Sequence, residues 1–224
     1  MRADKGTTEV KMDNMMMETQ ISAENIDKWK HLFLLSKFGI DEIETKLNIL
    51  NEEYHFLHDY NPIEHITTRV KDPQQIVKKL IKGGHAPNVE NAEKYVHDIG
   101  GVRVICSFAK DVYTVARMLE QQSDVTVIKV KDYIANPKPN GYRSLHMLIE
   151  IPIFLSNEVK NVITEVQFRS ISMDLWASIE HKIYYKSAIN IPKELENRLT
   201  RCADKLNEID LEMHNIKEEI KKYM

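Results

Sequence analysis

The sequence predicts an α+β domain bracketed by long helices. Two patterns carry that prediction. Short β-type runs mix with short helical runs through the middle of the chain, and apolar residues recur at three- and four-residue steps near each end. The size agrees. A chain of 224 residues, 42% hydrophobic and 29% charged, has room for one domain with a real core and helical extensions.

Residues 1–22 read as a flexible polar leader containing Met12, Met15, Met16 and Met17. A long helix starts near residue 24. Its apolar seam is Trp29, Phe33, Ile40, Ile43, Leu47, Leu50, Tyr54 and Leu57, with Ser36 in the one polar slot. Gly39 weakens this helix slightly. Asn61-Pro62 stops it, because a proline disfavours helical backbone in the residue before it. Strands follow at Val102–Cys106, Val125–Val130, Leu145–Ile151 and Val162–Phe168. Short helices fit 73–82, 89–97, 111–122 and 171–183, with turns at Gly83-Gly84 and Pro137–Gly141. The last helix begins near Pro192. Its seam runs through Leu195, Leu199, Cys202, Leu206, Ile209, Met213, Ile216, Ile220 and Tyr223. The chain thus divides into a leader at 1–22, a domain at 23–190 and a heptad helix at 191–224. Each seam has two readings: an amphipathic helix lying on its own domain, or a contact between subunits.

Bulk properties exclude several classes. Net charge is −3, so the surface as a whole does not attract nucleic acid or anionic membrane, and an anionic ligand needs a local basic patch. The two cysteines, Cys106 and Cys202, lie far apart, which is the usage of a reducing compartment. No apolar run is long enough to span a membrane, so a cytoplasmic protein is expected. The seven glycines form neither a P-loop nor a dinucleotide-binding turn, so bound phosphates would rely on side-chain cations and metal.

Such cations are present. Lys71, Gln75 and Lys79 share one helix face, near Arg69 and Lys78. A lysine at a helix start opposes the helix dipole, a misfit that an incoming phosphate would relieve. An ordinary solvated basic face is the other reading. A second basic stretch holds Lys129, Lys131, Lys138, Arg143 and His146, interleaved with Tyr133 and Tyr142. Rings beside cations suit a stacked base with phosphates nearby, although a surface turn accounts for the same pattern. Among carboxylates, Asp98 precedes Ile99-Gly100-Gly101. Glu165 sits mid-strand, on the same side as Gln167 and Arg169 and opposite Val166 and Phe168. Either this stripe is a solvent-facing sheet surface, or Asp98 and Glu165 share a Mg²⁺ at an active-site floor. The His58-Asp59 and His97-Asp98 pairs lack the further ligands of a His/Asp metal phosphohydrolase in recognisable order.

In chain order these residues form a series. It runs Asn61-Pro62-Ile63, Arg69-Val70-Lys71, Asp98-Ile99-Gly100-Gly101-Val102-Arg103 and Lys131-Asp132-Tyr133-Ile134. It continues with Pro137-Lys138-Pro139-Asn140-Gly141-Tyr142-Arg143-Ser144-Leu145-His146 and ends on Glu165-Val166-Gln167-Phe168-Arg169. The series closely resembles the synthetase domain of the RelA/SpoT family over roughly residues 40–190. The chain lacks room for the hydrolase and regulatory regions of the long enzymes and resembles the small, single-domain kind. Asn61-Pro62-Ile63-Glu64-His65 and Trp176–Ile183 are closer to the RelP type than to the RelQ type.

That resemblance implies a nucleotidyltransferase-like fold, a mixed five-stranded sheet flanked by helices. It implies transfer of pyrophosphate from ATP to the 3′-OH of GDP or GTP, with AMP released and Mg²⁺ as cofactor. Arg69 and Arg103 would sandwich adenine, and Lys71, Gln75 and Lys79 would attend the ATP phosphates. Asp98 would bind metal. Glu165 would join the metal or take the 3′-OH proton, and Gln167 would support the site. Tyr142 would stack on guanine, with Lys131, Lys138, Asn140 and His146 around the acceptor nucleotide. A homotetramer is expected by the same analogy, with no membrane partner and no sequence support for regulation by RNA. Two departures touch the phosphate contacts: Gln75 replaces a frequent serine, and Phe168-Arg169-Ser170 replaces Ile-Arg-Thr. The rival classes are a different nucleotidyltransferase and a non-catalytic nucleotide or RNA sensor of the same fold.

Overall fold

The long amphipathic seam near the N-terminus becomes a single 36-residue helix, α1 (Ala23–His58). It belongs to a computed structural model that describes residues 23–185 and 192–223. The leader expected at 1–22 lies outside the described residues. Trp29, Phe33, Ser36, Ile40, Ile43, Leu47 and Leu50 are all buried, so most of this seam lies on its own domain. Ser36 is tolerated there because its hydroxyl donates to the Leu32 carbonyl. The seam fails only at its end, where Leu57 is exposed. The helix stops at Asp59, which adopts a left-handed φ of 50°.

The elements then follow as β1 (Ile63–Val70), α2 (Pro73–Lys82), α3 (Val89–Tyr95), β2 (Gly100–Cys106) and α4 (Ala109–Glu120). After them come β3 (Thr126–Asp132), β4 (Leu145–Phe154), β5 (Val159–Ser170), α5 (Ile171–Tyr185) and α6 (Lys193–Ile220). The five strands form one mixed sheet in the order β1-β2-β5-β4-β3. Only β2 and β5 run parallel; β1–β2, β5–β4 and β4–β3 are antiparallel. Four strands match the sequence reading, with ends that differ by up to three residues. The strand at β1 was not read from the residues. Its side chains are mostly exposed, so it has no apolar alternation to reveal it.

One sheet face is covered by α1 and α4. Ile43 and Leu47 of α1 and Val112, Val115 and Leu119 of α4 bury against Val102, Val104, Met147, Ile149, Val166 and Phe168. A second cluster joins Trp29 and Phe33 to Ile76 and Leu80 of α2 and Val96, tying the N-terminal half of α1 to α2 and α3. The other sheet face is left for polar residues.

The last helix behaves differently from the first. The buried residues of α6 are Ala203, Asp210 and His214. Asp210 accepts the Ala109 N–H at the start of α4 and the Ser172 hydroxyl at the start of α5. Leu206 packs against Trp176 and Ala177, but the C-terminal part of the α6 seam points away from the domain: Ile209, Met213, Ile216 and Ile220 are each about half exposed.

Gly39 has a packing role that helix propensity hides. A Cβ there would lie 2.8 Å from Val162 Cγ1 and 2.9 Å from Thr164 Oγ1, so α1 touches β5 at this point. Gly39→Ala is therefore expected to destabilise the fold. Overpacking costs about 1–3 kcal/mol, against roughly 1 kcal/mol gained in helix propensity. A urea midpoint higher than that of the wild type would refute the contact.

Candidate active site

The open face of the sheet carries two adjacent rows of residues that cross all five strands. One row is Thr67, Arg103, Gln167, His146 and Lys131. The next is Arg69, Gly101, Glu165, Leu148 and Lys129. Side chains two apart on a strand point the same way, so each strand contributes one residue to each row. Most of the residues predicted for a site fall in these rows or at their margins.

A cavity of about 140 Å³ sits over the rows, lined by Thr67, Thr68, Arg69, Asp98, Gly101, Val102, Arg103, Glu165 and Gln167. Asp98 and Glu165 thus share one cleft. Asp98 reaches it because β2 starts immediately after Ile99 and runs beside β5, with Gly101 paired to Glu165.

The two carboxylates are held by different means. Asp98 accepts Lys71 Nζ at 2.5 Å and Lys79 Nζ at 2.8 Å. Lys71 leads into α2 and Lys79 lies in its last turn, so the misfit at the helix start is relieved here by Asp98. Burial alone would raise the Asp98 pKa. The hydrogen bonds and charges of the two lysines outweigh it, and the carboxyl lies below its ordinary range. Glu165 accepts Gln167 Nε2 at 2.7 Å and faces His146 Nδ1 at 3.3 Å. Burial and the nearby Asp98 push its pKa up; the bonds to His146 and Gln167 prevail and bring it down. Both carboxylates are ionised at neutral pH.

From His146 a chain of contacts leaves the cleft. His146 Nε2 lies 2.9 Å from the Tyr142 hydroxyl, and Arg169 Nη2 donates to that hydroxyl at 2.9 Å. Arg169 Nη1 in turn donates to Asp174 at 2.9 Å. Lys138 Nζ stands 4.7 Å from the ring centres of both Tyr133 and Tyr142, the cation-and-aromatic pairing expected of this stretch. The turn before Tyr142 needs glycine: Gly141 has φ +91°, and a Cβ there would lie 2.7 Å from the Cβ of Ala203 on α6.

Three predicted residues sit at the margins. Lys131 is exposed on β3, opposite His146. Gln75 is exposed on α2. Asn140 is also exposed and builds the turn, its Oδ1 accepting the Tyr142 N–H and its Nδ2 reaching Glu180. Thr67 and Thr68, which line the cleft, and Arg169 and Asp174 beyond it received no role from the sequence. Arg169 was visible as a member of the polar stripe. Asp174 offered no signal, because its partners Arg169 and Arg103 meet it only when α5 folds back beside the sheet.

A pH effect follows for Asp98. A carboxylate whose folded pKa is depressed contributes stability that is present above the unfolded pKa, about 4, and is lost as pH falls through the folded value. Asp98→Asn removes that contribution. The gap in urea midpoint between wild type and variant is expected to shrink from pH 6 towards pH 3. A gap that widens in acid would contradict the lysine clamp.

The comparisons with known proteins follow the same lines. A family model described as a region found in RelA / SpoT proteins matches residues 68–190. The GTP pyrophosphokinase YwaC of Bacillus subtilis is 46% identical over 195 residues, covering 87% of this chain and 93% of that protein. The crystal structure of small alarmone synthetase 2 from Bacillus subtilis superposes with a TM-score of 0.77 at 46% identity, covering 85% of this chain and 98% of that one. Small alarmone synthetase 1 from the same organism, solved bound to its product pppGpp, gives 0.77 at 33% identity and covers 86% and 97%. A family match over residues 68–190, with a relative this similar along most of both sequences, means that the chain belongs to the RelA/SpoT family.

Proposed function

We propose that this chain is a (p)ppGpp synthetase that transfers the β,γ-pyrophosphate of ATP to the 3′-OH of GDP or GTP. The observation that carries the reading is the pair of polar rows, which gathers Arg69, Arg103, Glu165 and Gln167 with Asp98 around one cleft. The related proteins named as GTP pyrophosphokinases and small alarmone synthetases support it.

The charge balance suits a triphosphate. Arg69, Lys71, Lys79 and Arg103 face Asp98 and Glu165, so cations outnumber carboxylates at the cleft. Arg69 and Arg103 hold adenine from neighbouring strands. Lys71 and Lys79 exchange Asp98 for ATP phosphate oxygens. Tyr142 stacks on guanine, and Lys138, Lys131 and His146 lie towards the acceptor's phosphates. Asn140 shapes the turn that presents Tyr142.

The donor set fits Mg²⁺, which takes oxygen ligands and is commonly held by one or two carboxylates plus substrate phosphate. Among the described residues no three acidic, histidine or cysteine side chains form a closed metal cage. Asp98 and Glu165 would hold the ion, and it would neutralise charge on the bridging and terminal phosphate oxygens. Glu165, ionised and oriented by Gln167 and His146, accepts the 3′-OH proton as the ribose oxygen bonds to the β-phosphorus. The bond from that phosphorus to the α,β-bridging oxygen breaks and AMP leaves. Fixing both nucleotides in line lowers the entropic part of the barrier.

We also place this chain in the cytoplasm as a homo-oligomer, with a tetramer the expected form. Among the described residues no helix is long and apolar enough to cross a membrane. The outward residues of α6 (Ile209, Met213, Ile216, Ile220) are an apolar stripe suited to a second copy of the chain, and Phe56 and Leu57 at the end of α1 are exposed as well.

Incubation with labelled ATP, Mg²⁺ and GDP or GTP should release AMP and a guanosine 3′-diphosphate; pyrophosphate release instead would indicate nucleotidyl transfer. Glu165→Gln should lower turnover by about 10²-fold or more while ATP binding persists. Tyr142→Ala should raise KM for the guanine nucleotide about tenfold or more, the scale of a lost base stack, and raise KM for ATP far less. For assembly, Ile216→Glu should yield a smaller species than wild type in sedimentation equilibrium. A wild-type monomer at micromolar concentration would refute the subunit contact.

A further inference from the structure

Outside the cleft itself, the contact chain that leaves it has a direction, and one residue sets it. Arginine carries only donors. Arg169 Nη2 therefore donates to the Tyr142 oxygen, at 2.9 Å. The tyrosine proton is then directed to its other neighbour, His146 Nε2, at 2.9 Å. A neutral imidazole has one N–H and one lone pair. With Nε2 accepting, the ring hydrogen lies on Nδ1, which faces Glu165 Oε1 at 3.3 Å. The opposite arrangement would aim the Nδ1 lone pair at a carboxylate oxygen and leave the tyrosine proton without an acceptor.

Arg169 is built to hold this orientation. It is buried, and its Nη1 is clamped by Asp174 at 2.9 Å. Its Nε has no hydrogen-bond partner among the described residues, so the Asp174 and Tyr142 contacts are its hydrogen bonds there. Asp174 also lies 3.7 Å from Arg103 Nη1, which links the chain to the other end of the cleft.

We propose that Arg169, clamped by Asp174, is a positioning residue that fixes the direction of the hydrogen-bond chain Tyr142→His146→Glu165 and thereby holds His146 in its Nδ1–H tautomer. Neither Arg169 nor Asp174 touches a reacting atom. Their effect is to keep an N–H pointed at Glu165, which orients the carboxylate, and to pin the Tyr142 hydroxyl so that its ring stays in place. The value of that orientation for turnover rests on the proposed function; the direction of the chain rests on geometry alone.

The test separates the two ends of the chain, because an ionised Glu165 by itself also favours an N–H on Nδ1. Glu165→Gln removes that preference, since a side-chain amide can either accept or donate. The readout is the ¹⁵N shift of the His146 ring nitrogens by NMR in the ligand-free full chain, with the imidazole neutral. Wild type and Glu165→Gln are both expected to show Nδ1–H. Glu165→Gln combined with Arg169→Met is expected to show a mixture of tautomers. Because Arg169 is buried, Glu165→Gln combined with Tyr142→Phe serves as the second arm, and it too should show the mixture. The proposal is overturned if wild type is Nε2–H, if Glu165→Gln alone scrambles the ring, or if a folded double variant stays wholly Nδ1–H. Failure of AMP release in wild type would remove the reaction assignment and leave the tautomer result standing.

Discussion

A charged carboxylate in the middle of a sheet is the constraint from which the site is built. Glu165 lies on β5, flanked by β2 on one side and β4 on the other, where a lone ionised group would lose much of its hydration. Donors must be supplied locally, and each has its own orientation to satisfy. Gln167 comes from the same strand and face, and His146 from the neighbouring strand. His146 needs Tyr142, Tyr142 takes Arg169, and Arg169 needs Asp174 to remain buried with its charge matched. Apart from the Arg169 Nε, each of these groups has a partner in the chain, and it is paired groups of this kind that rigidify a site.

The second carboxylate solves the same problem with ammonium groups. Asp98 stands between Lys71 and Lys79, so the protein without substrate offsets part of its own positive charge at the cleft. Lysine suits this role because its flexible stem and rotatable donors can leave one anion for another. The guanidinium groups of Arg69 and Arg103 are planar and project from adjacent strands, a geometry suited to a flat base.

The two long helices divide the supporting work. α1 lies on the sheet along most of its seam, and Gly39 allows the close approach that seats it on β5. α6 meets the domain through a small apolar contact, Ala203 and Leu206 against Trp176 and Ala177, and through polar side chains. Asp210 caps α4 and takes the Ser172 hydroxyl of α5, and Asp204 pairs with Arg143 beside the Gly141 turn. The same helix therefore supports the turn that presents Tyr142 while turning its isoleucines outward.

Much of this was legible in the chain. Period and run length located both long helices and four strands, and side-chain alternation placed Glu165, Gln167 and Arg169 on one side of β5, opposite Val166 and Phe168. These are local properties, decided by residues a few positions apart. The motif series also contains most of the residues lining the cleft, though not Thr67 and Thr68 of β1. What folding alone decided depends on contacts between distant segments. β1 became a strand because β2 offers it a hydrogen-bonded edge, although its own side chains are mostly exposed. Two identical-looking heptad seams took different fates: the first lies inward along most of its length, whereas the second keeps Leu206 on the domain and turns Ile209, Met213, Ile216 and Ile220 outward, the buried face of α6 being Ala203, Asp210 and His214. Arg169 and Asp174 gained their place because a donor-only side chain, buried beside Tyr142, leaves the proton one way to go, and no spacing along a sequence records that direction.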